Sequence, residues 1–182
     1  MKWTIFLIAT VLLITLACNF NMGSSTGGEV RMDEAGFSAE IPSGYEMSSI
    51  FGELSFTQED ADIFEGPNFS IALDPPGILA DPNYIMDNIQ GSNNIFNYAY
   101  SGKRTPVTFG GVSGLAEDFT GITEENGVAI AGRVIVAILP DGREFRFFGH
   151  WPVEQKDKME PVFLSILNSV KFYEPILPTP TP

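Results

Sequence analysis

The sequence predicts a single α+β domain in which antiparallel strands combine with two helices. Residues 128–139 form a long β-branched run, and a Pro140-Asp141-Gly142 turn joins it to residues 143–150, as in a hairpin of buried strands. Residues 159–170 place apolar side chains at intervals of three and one, the period of a helix packed on a core. The only cysteine, Cys18, precedes this region, so the core must stabilise the fold without a disulfide.

The first half of the domain is predicted to contain three strands and one short helix. Residues 36–45 alternate apolar and polar side chains and end in a Pro-Ser-Gly turn. Residues 50–57 and 68–73 predict the next two strands, with an exposed acidic loop between them. Asp81-Pro82 matches an N-cap followed by proline at the first helical position, which predicts a helix ending near Gly91 or a few residues beyond.

The second half adds strands around the predicted hairpin. Residues 105–120 indicate two short strands or one bulged strand, because Gly110-Gly111 interrupts the alternation. Residues 154–158 supply the polar start of the long helix, and residues 169–172 predict a short closing strand.

The two ends of the chain have a different character from the domain. Residues 1–17 carry one charge, Lys2, before an apolar run that is too short to span a bilayer comfortably, and this is typical of an export signal. Residues 18–35 are rich in glycine and small polar residues and predict a flexible tether. Residues 174–182 are rich in proline and threonine and predict an extended tail after the domain at 36–173.

The end of the apolar run resembles the lipobox of bacterial lipoprotein precursors, on the residues Leu16-Ala17-Cys18. The resemblance implies that the Cys18 thiol receives a diacylglycerol, carrying palmitate-like chains, and becomes the new N-terminus after cleavage. Two or three acyl chains anchor a protein firmly, because each buried methylene contributes about 0.8 kcal/mol. We therefore expect a lipid-anchored protein on the extracytoplasmic side of the cell membrane, with an uncleaved membrane anchor or an ordinary secretory signal as the alternatives.

The chain is acidic, with 10 basic and 23 acidic residues and a formal net charge of −13 at pH 7. Between Glu29 and Gly102, 13 residues are acidic and only Arg31 is basic. This balance argues against binding to nucleic acid, which needs a basic stripe, and against attraction to anionic lipid. We expect a solvated acidic surface that keeps the tethered domain soluble, with an acidic face for cations or a basic partner as the alternative.

The order of elements resembles the PsbP-like fold, which is shared by the extrinsic oxygen-evolving subunit of photosystem II and by bacterial lipoproteins. The resemblance covers residues 36–173 and rests on four stretches, at residues 36–45, 107–119, 148–151 and 163–172. It implies an antiparallel sheet between helices, an α/β/α sandwich, and a role as an accessory or scaffolding subunit. The matching stretches specify a fold and contain no characteristic chemical residue.

Four acidic residues in one loop are the candidate metal ligands: Glu59, Asp60, Asp62 and Glu65. Calcium prefers six to eight oxygen ligands, and closely spaced carboxylates on a loop can supply several of them. The spacing lacks the order of an EF-hand, so a plain solvated loop is the alternative. One histidine and one lipidated cysteine are too few for most transition-metal sites, and no other cofactor is expected.

His150 is the only histidine, and a structural role is the main interpretation. As a catalytic base it would need a nucleophile, and residues 111–114 around Ser113 match a nucleophile elbow only loosely, because Leu115 replaces its final glycine. We therefore predict no enzyme. The expected function is a non-enzymatic binding or scaffolding subunit of an envelope complex, with an unidentified protein partner. The alternative is a calcium or small-ligand sensor that uses residues 58–65.

Overall fold

The computed structural model describes residues 23–25, 27–50, 53–61, 66–77, 81–89, 95–123 and 126–176. These residues form strands, two α-helices and one 3-10 turn. The strands are β1 (Gly23–Ser25), β2 (Gly28–Met32), β3 (Phe37–Ile41), β4 (Tyr45–Ile50), β5 (Glu53–Gln58), β6 (Asn68–Asp74), β7 (Ile95–Tyr100), β8 (Thr105–Phe109), β9 (Val112–Thr123), β10 (Ala129–Ile138), β11 (Glu144–Pro152) and β12 (Lys171–Phe172). The helices are α1 (Pro82–Asn88) and α2 (Lys156–Ser169), and the 3-10 turn is Val153–Gln155.

Most of the described strands belong to one antiparallel sheet, in the order β1-β4-β5-β6-β11-β10-β9-β7. Strand β8 also pairs with β9, so β7 and β8 follow one another along the same side of that strand. The predicted hairpin of β10 and β11 lies at the centre, with its register running from Ile130 opposite Pro152 to Ile138 opposite Glu144. The β-branched run therefore forms a central strand, as its composition predicts.

Gly110 and Gly111 form the tight turn between β8 and β9. Phe109 pairs with Val112, so the loop has two residues, and both glycines have positive φ angles of 53° and 77°. Positive φ at both central positions is the geometry of the hairpin turn that favours glycine. Of the two predicted alternatives, two strands are therefore correct and one bulged strand is not.

The two helices cover opposite faces of the larger sheet. Phe163 of α2 stacks on Phe147 of β11, with ring centroids 4.2 Å apart, while Met86 of α1 packs with Val134 and Val136 of β10. Val134 and Val136 alternate with Ile135, which belongs to the cluster under α2. Because successive strand residues point to opposite faces, the sheet lies between the helices, as predicted.

A second sheet of three described strands, in the order β12-β3-β2, packs beside helix α2. The predicted apolar face of β3 is confirmed, because Phe37, Ala39 and Ile41 are all buried, but Ser38 on its other face is buried as well. Strand β2 falls within the segment 18–35 that was predicted to be a flexible tether. Its residues Val30 and Met32 pack against the core, so the folded part of the chain begins before residue 36.

Helix α1 begins as its sequence predicts and ends earlier. The carboxylate of Asp81 accepts a hydrogen bond from the backbone N–H of Asn83 at 2.9 Å, which is the expected N-cap. The helix ends at Asn88, and Ile89 has an extended backbone. Strands β4 and β7 were not predicted, since their alternation is weakened by serine in β4 and by asparagine in β7.

Candidate functional site

A recess with a volume of about 260 Å³ lies between the larger sheet and the start of helix α2. Its floor includes a row of residues that the strand registers place side by side: Trp151 of β11, Ala131 of β10, Thr120 of β9 and Ala99 of β7. Three of these four side chains are small. The sheet surface is therefore hollow next to the large indole, and α2 covers only one side of that hollow.

An ion-paired arginine forms the wall of the recess nearest to this row. Arg133 Nε donates to Asp118 Oδ1 at 2.6 Å, and Arg133 Nη2 lies 2.8 Å from Glu160 Oε1 of α2. These contacts raise the pKa of Arg133, mainly through the hydrogen bond with Asp118, although partial burial acts in the opposite direction. Lys156, the first residue of α2, also lines the recess, so the four charged side chains together are neutral at pH 7.

Trp151 closes the inner end of the recess. Only 2% of its surface is exposed, and its ring lies 6.2 Å from Phe69 and 5.9 Å from Phe163 between centroids. Its indole Nε1 is buried and has no hydrogen-bond acceptor within the described ranges. Buried tryptophan N–H groups usually find a partner, so this donor is an exception, and its burial keeps it out of contact with a molecule in the recess.

The acidic loop proposed for calcium is only partly described. Glu59 and Asp60 line a second recess of about 480 Å³, together with Gln155 and Lys158 near the start of α2. Asp62 and Glu65 lie outside the described residues. No group of three metal-ligating side chains occurs among the described residues. The four-carboxylate calcium site therefore stays a prediction, and Lys158 adds a positive charge beside two of its members.

His150 lies on the face of the sheet opposite helix α2, next to Phe148, with ring centroids 6.0 Å apart. It is 4% exposed, and neither ring nitrogen has a hydrogen-bond partner in the parts of the chain that are described. Burial lowers its pKa from 6.5 to about 4. The imidazole is therefore neutral at physiological pH, in agreement with a structural role, but the expected hydrogen bonds are missing.

Ser113 does not come near His150. The register places Gly132 opposite His150, while Gly114 lies opposite Ala137, five residues further along β10. At about 3.3 Å per residue, Ser113 is therefore roughly 20 Å from His150 along the sheet. Ser113 also follows a strand-to-strand turn, whereas a nucleophile elbow joins a strand to a helix. This pair cannot act as nucleophile and base.

The terminal predictions fall mostly outside the described residues. Residues 1–17, Cys18 and residues 177–182 of the Pro/Thr tail all lie outside the described residues. The start of the tail is held in place, because the backbone N–H of Ile176 donates to the Asp33 carbonyl at 2.8 Å. Neither described helix has the length and apolar character needed to cross a bilayer.

Sequence reasoning did not identify the recess residues as a site. Ala99, Thr120 and Ala131 are ordinary strand residues, and only the register shows that three small side chains meet beside Trp151. One sequence feature could have drawn attention to Trp151, namely a large aromatic residue with a polar N–H at the end of a predicted buried strand.

The fold resembles several solved structures, although no family model and no curated protein sequence matches the chain. The solution structure of cyanobacterial PsbP (CyanoP) from Synechocystis aligns with a TM-score of 0.59 and 13% identity, over 87% of this chain and 99% of that one. LpqN, a protein involved in cell envelope biogenesis of Mycobacterium tuberculosis, aligns with a TM-score of 0.53 and 17% identity, over 81% and 91%.

The Ran-binding protein Mog1p of Saccharomyces cerevisiae is also similar, with a TM-score of 0.54 and 8% identity over 84% of this chain and 96% of that one. Identities this low establish shared architecture and do not transfer function. The strand order, the helices on opposite faces of the sheet and these alignments agree with one another. The chain therefore folds as a PsbP-like α+β domain.

Proposed function

We propose that this chain is a non-enzymatic binding or scaffolding protein that is lipid-anchored through Cys18 on the extracytoplasmic side of the cell membrane. In this proposal it is an accessory subunit of an envelope complex, and the recess beside Trp151 is its binding surface. The observation that carries the proposal is a recess of about 260 Å³ between the larger sheet and helix α2, where small side chains of three strands meet beside Trp151.

The charge arrangement of the recess supports binding. Arg133 is shared between Asp118 and Glu160, so the strand floor and helix α2 are joined by ion pairs that hold the wall in a defined shape. A preformed surface of this kind loses little conformational entropy when a partner docks. LpqN, which is 17% identical to this chain, is involved in cell envelope biogenesis, and this is consistent with the proposal.

Site-specific photocrosslinking tests the recess as a binding surface. A photoreactive residue at Thr120, which is exposed and lines the recess, is irradiated in the full chain in intact membranes, with Thr108 of β8 as the matched exposed control. We expect a discrete protein adduct from position 120 that is absent from position 108. Identical adducts from both positions, or none from position 120, would contradict the proposal.

The membrane anchor has a separate test. We expect the full chain to incorporate labelled palmitate in a bacterial host with lipoprotein processing, and Cys18→Ala to lose the label and accumulate as the longer precursor. A Cys18→Ala variant that is processed like the unmodified chain would show that residues 1–17 are an ordinary secretory signal.

A further inference from the structure

We infer that the sheet edge formed by β1 and β4 lies against the lipid headgroups and that the recess beside Trp151 opens away from the membrane. This inference rests on the proposed lipid anchor at Cys18 and adds the orientation that the anchor imposes on the domain. The surface that this edge meets is a layer of lipid headgroups, and a partner that fills the recess has to approach from the side opposite the membrane.

The connection between the anchor and the sheet is short. Strand β1 begins at Gly23, which pairs with Met47 of β4, so residues 19–22 are the whole connection to Cys18. The five Cα–Cα steps from Cys18 to Gly23 span at most about 18 Å. An acylated Cys18 lies at the headgroups, so Gly23 stays within about 18 Å of the membrane surface.

The recess lies toward the opposite edge of the same sheet. The strand order places β1 at one edge and β7 at the other, and Thr120 of β9 is six strand spacings from β1. Neighbouring strands lie about 4.7–4.9 Å apart, so this separation is roughly 29 Å along the sheet. A domain that rests on its β1–β4 edge therefore holds the recess roughly 30 Å above the headgroups.

The end of the sheet that carries the turn between β10 and β11 is a second surface that the connection can reach. The chain enters β1 from this end, and successive registers place Gly23 level with Arg133, five residues before Ile138 in β10. If this end faced the membrane, Gly23 would lie roughly 17 Å above the headgroups and the connection would be fully extended. Ala131 in the recess would still be seven residues, or roughly 23 Å, from Ile138.

Resting on helix α2 would also extend most of the connection. The sheet would then lie above a helix layer, and a layer spacing of about 10 Å plus a helix radius of about 5–6 Å puts β1 roughly 15 Å from the headgroups. A nearly extended chain segment loses conformational entropy. The β1–β4 edge needs the least extension and is therefore the favoured contact.

The edge itself has no charge that attracts anionic lipid. Strands β1, β4 and β5 contain no lysine or arginine, whereas Glu46 and Glu53 are exposed on them. Attraction to anionic headgroups needs clusters of basic side chains, so it does not hold this edge at the membrane. The short connection to Cys18 is the cause of the orientation, and lengthening that connection should abolish it.

Fluorescence quenching by a headgroup-labelled lipid measures the orientation. Cys18 is the only cysteine and is acylated in the processed chain, so a single introduced cysteine can carry a fluorophore. Ser49→Cys on β4 and Thr120→Cys beside the recess use exposed positions. Each processed chain is placed in phosphatidylcholine vesicles in which some headgroups carry a nitroxide. We expect quenching at position 49 to exceed quenching at position 120 by at least about threefold, because position 120 lies roughly 30 Å from the headgroups.

A longer connection is the matched control. About twenty Gly/Ser residues inserted after Met22 add roughly 25 Å to its average reach, so the ratio of quenching at the two positions should fall by at least about half. Vesicle binding should not change, because the acyl chains are the same. Equal or stronger quenching at position 120 with the original connection, or a ratio that survives the insertion, would overturn the inference.

Vesicle flotation separates failure of the orientation from failure of the anchor. A processed chain that carries no acyl group and does not float with the vesicles would overturn the proposed anchor and this inference with it. A chain that floats and is quenched equally at positions 49 and 120 would leave the anchor in place and overturn the orientation alone.

Discussion

Four buried polar residues in this fold differ in whether their hydrogen bonds are satisfied. Glu117 is 4% exposed and accepts from the backbone N–H of Gly102 and from Arg104, and Arg143 is 9% exposed and donates to backbone carbonyls. His150 and Trp151 are as deeply buried, yet their ring nitrogens have no partner within the described ranges. Among these four residues, the two with unsatisfied ring nitrogens are consecutive at one end of β11 and lie on opposite faces of the sheet.

His150 makes the stability of the fold depend on pH. Its pKa is about 4 in the folded chain, against 6.5 when it is exposed, because burial disfavours the charged ring. Between these two values the unfolded chain binds a proton that the folded chain does not, so the stability present above pH 6.5 falls as the pH drops to 4. We expect this residue alone to account for a loss of up to about 3 kcal/mol, measured by urea unfolding across this pH range.

The variant His150→Leu separates the pH dependence of stability that comes from His150 from the part that comes from the carboxylates. It removes two unsatisfied nitrogens and places an apolar side chain in the same buried position. We therefore expect the free energy of unfolding at pH 7 to stay equal or rise by about 1 kcal/mol. Between pH 6.5 and 4 the variant should lose up to about 3 kcal/mol less stability than the unmodified chain. Parallel pH profiles for the two proteins would show that His150 is protonated or hydrogen-bonded in the folded state.

At the scale of single elements, helix α1 is short and is held by one arginine. Arg104 donates to the carbonyl and the side chain of Asn83 at 3.3 and 3.1 Å, pairs with Asp87, and contacts the buried Glu117 at 3.1 Å. These bonds raise the pKa of Arg104, mainly through Asp87 and then Glu117. A helix of seven residues is marginal alone, so its position depends on this contact and on Met86.

Removing this arginine should release α1 and leave a buried charge without a partner. We expect Arg104→Met to lower the free energy of unfolding by about 2–3 kcal/mol and to speed hydrogen exchange in α1. Adding Glu117→Gln should recover most of that loss, because the second change removes the unpaired charge. Arg31→Met provides a comparison, since the Arg31–Asp33 pair is exposed and should contribute less than about 1 kcal/mol. Equal losses in both single variants would contradict the assigned role of Arg104.

Helix α2 was predicted from its apolar stripe and is confirmed, but it contains a proline that the stripe does not explain. Pro161 lies in the second turn, where it has no N–H for the carbonyl four residues earlier. Since Pro161 is exposed, Pro161→Ala should create no cavity and should stabilise the fold by about 1–2 kcal/mol in thermal unfolding. Ser165 is exposed on the same helix, and Ser165→Ala should change stability by less than about 0.5 kcal/mol. A larger effect of Ser165→Ala would show that alanine stabilises this helix at any exposed position, and the gain in Pro161→Ala would then not be specific to proline.

The fold was more predictable than the candidate site because the two depend on different information. The apolar stripe of α2, the Asp81 cap and the central hairpin are local patterns, and each is confirmed. The recess depends on the register of four strands, and one of them, β7, was not predicted at all. Strand β2 was missed for a related reason: Val30 and Met32 become a strand only when β3 is beside them.

At the scale of the whole molecule, one arginine connects the two sheets. Arg143 follows the Pro140-Asp141-Gly142 turn of the larger sheet, and its guanidinium donates to the carbonyls of Ala35 at 2.6 Å and Tyr173 at 3.0 Å. Both carbonyls flank strands of the smaller sheet. Asp141 holds the same guanidinium at 2.7 Å, and the bonds with Arg143 keep the pKa of Asp141 low against its partial desolvation. The turn thus fixes the point at which the sheets meet.

Replacing Arg143 should therefore separate the unfolding of the two sheets. We expect Arg143→Met to cost about 2–3 kcal/mol, because buried carbonyls lose their donor, and to increase hydrogen exchange in β2, β3 and β12 more than in β10. Arg146→Met is the matched comparison, since Arg146 pairs with Asp74 and both side chains are more than 40% exposed, and it should cost less than about 1 kcal/mol. If exchange rose equally in both sheets of Arg143→Met, the arginine would support the global fold, and the smaller sheet would not be a separately released unit.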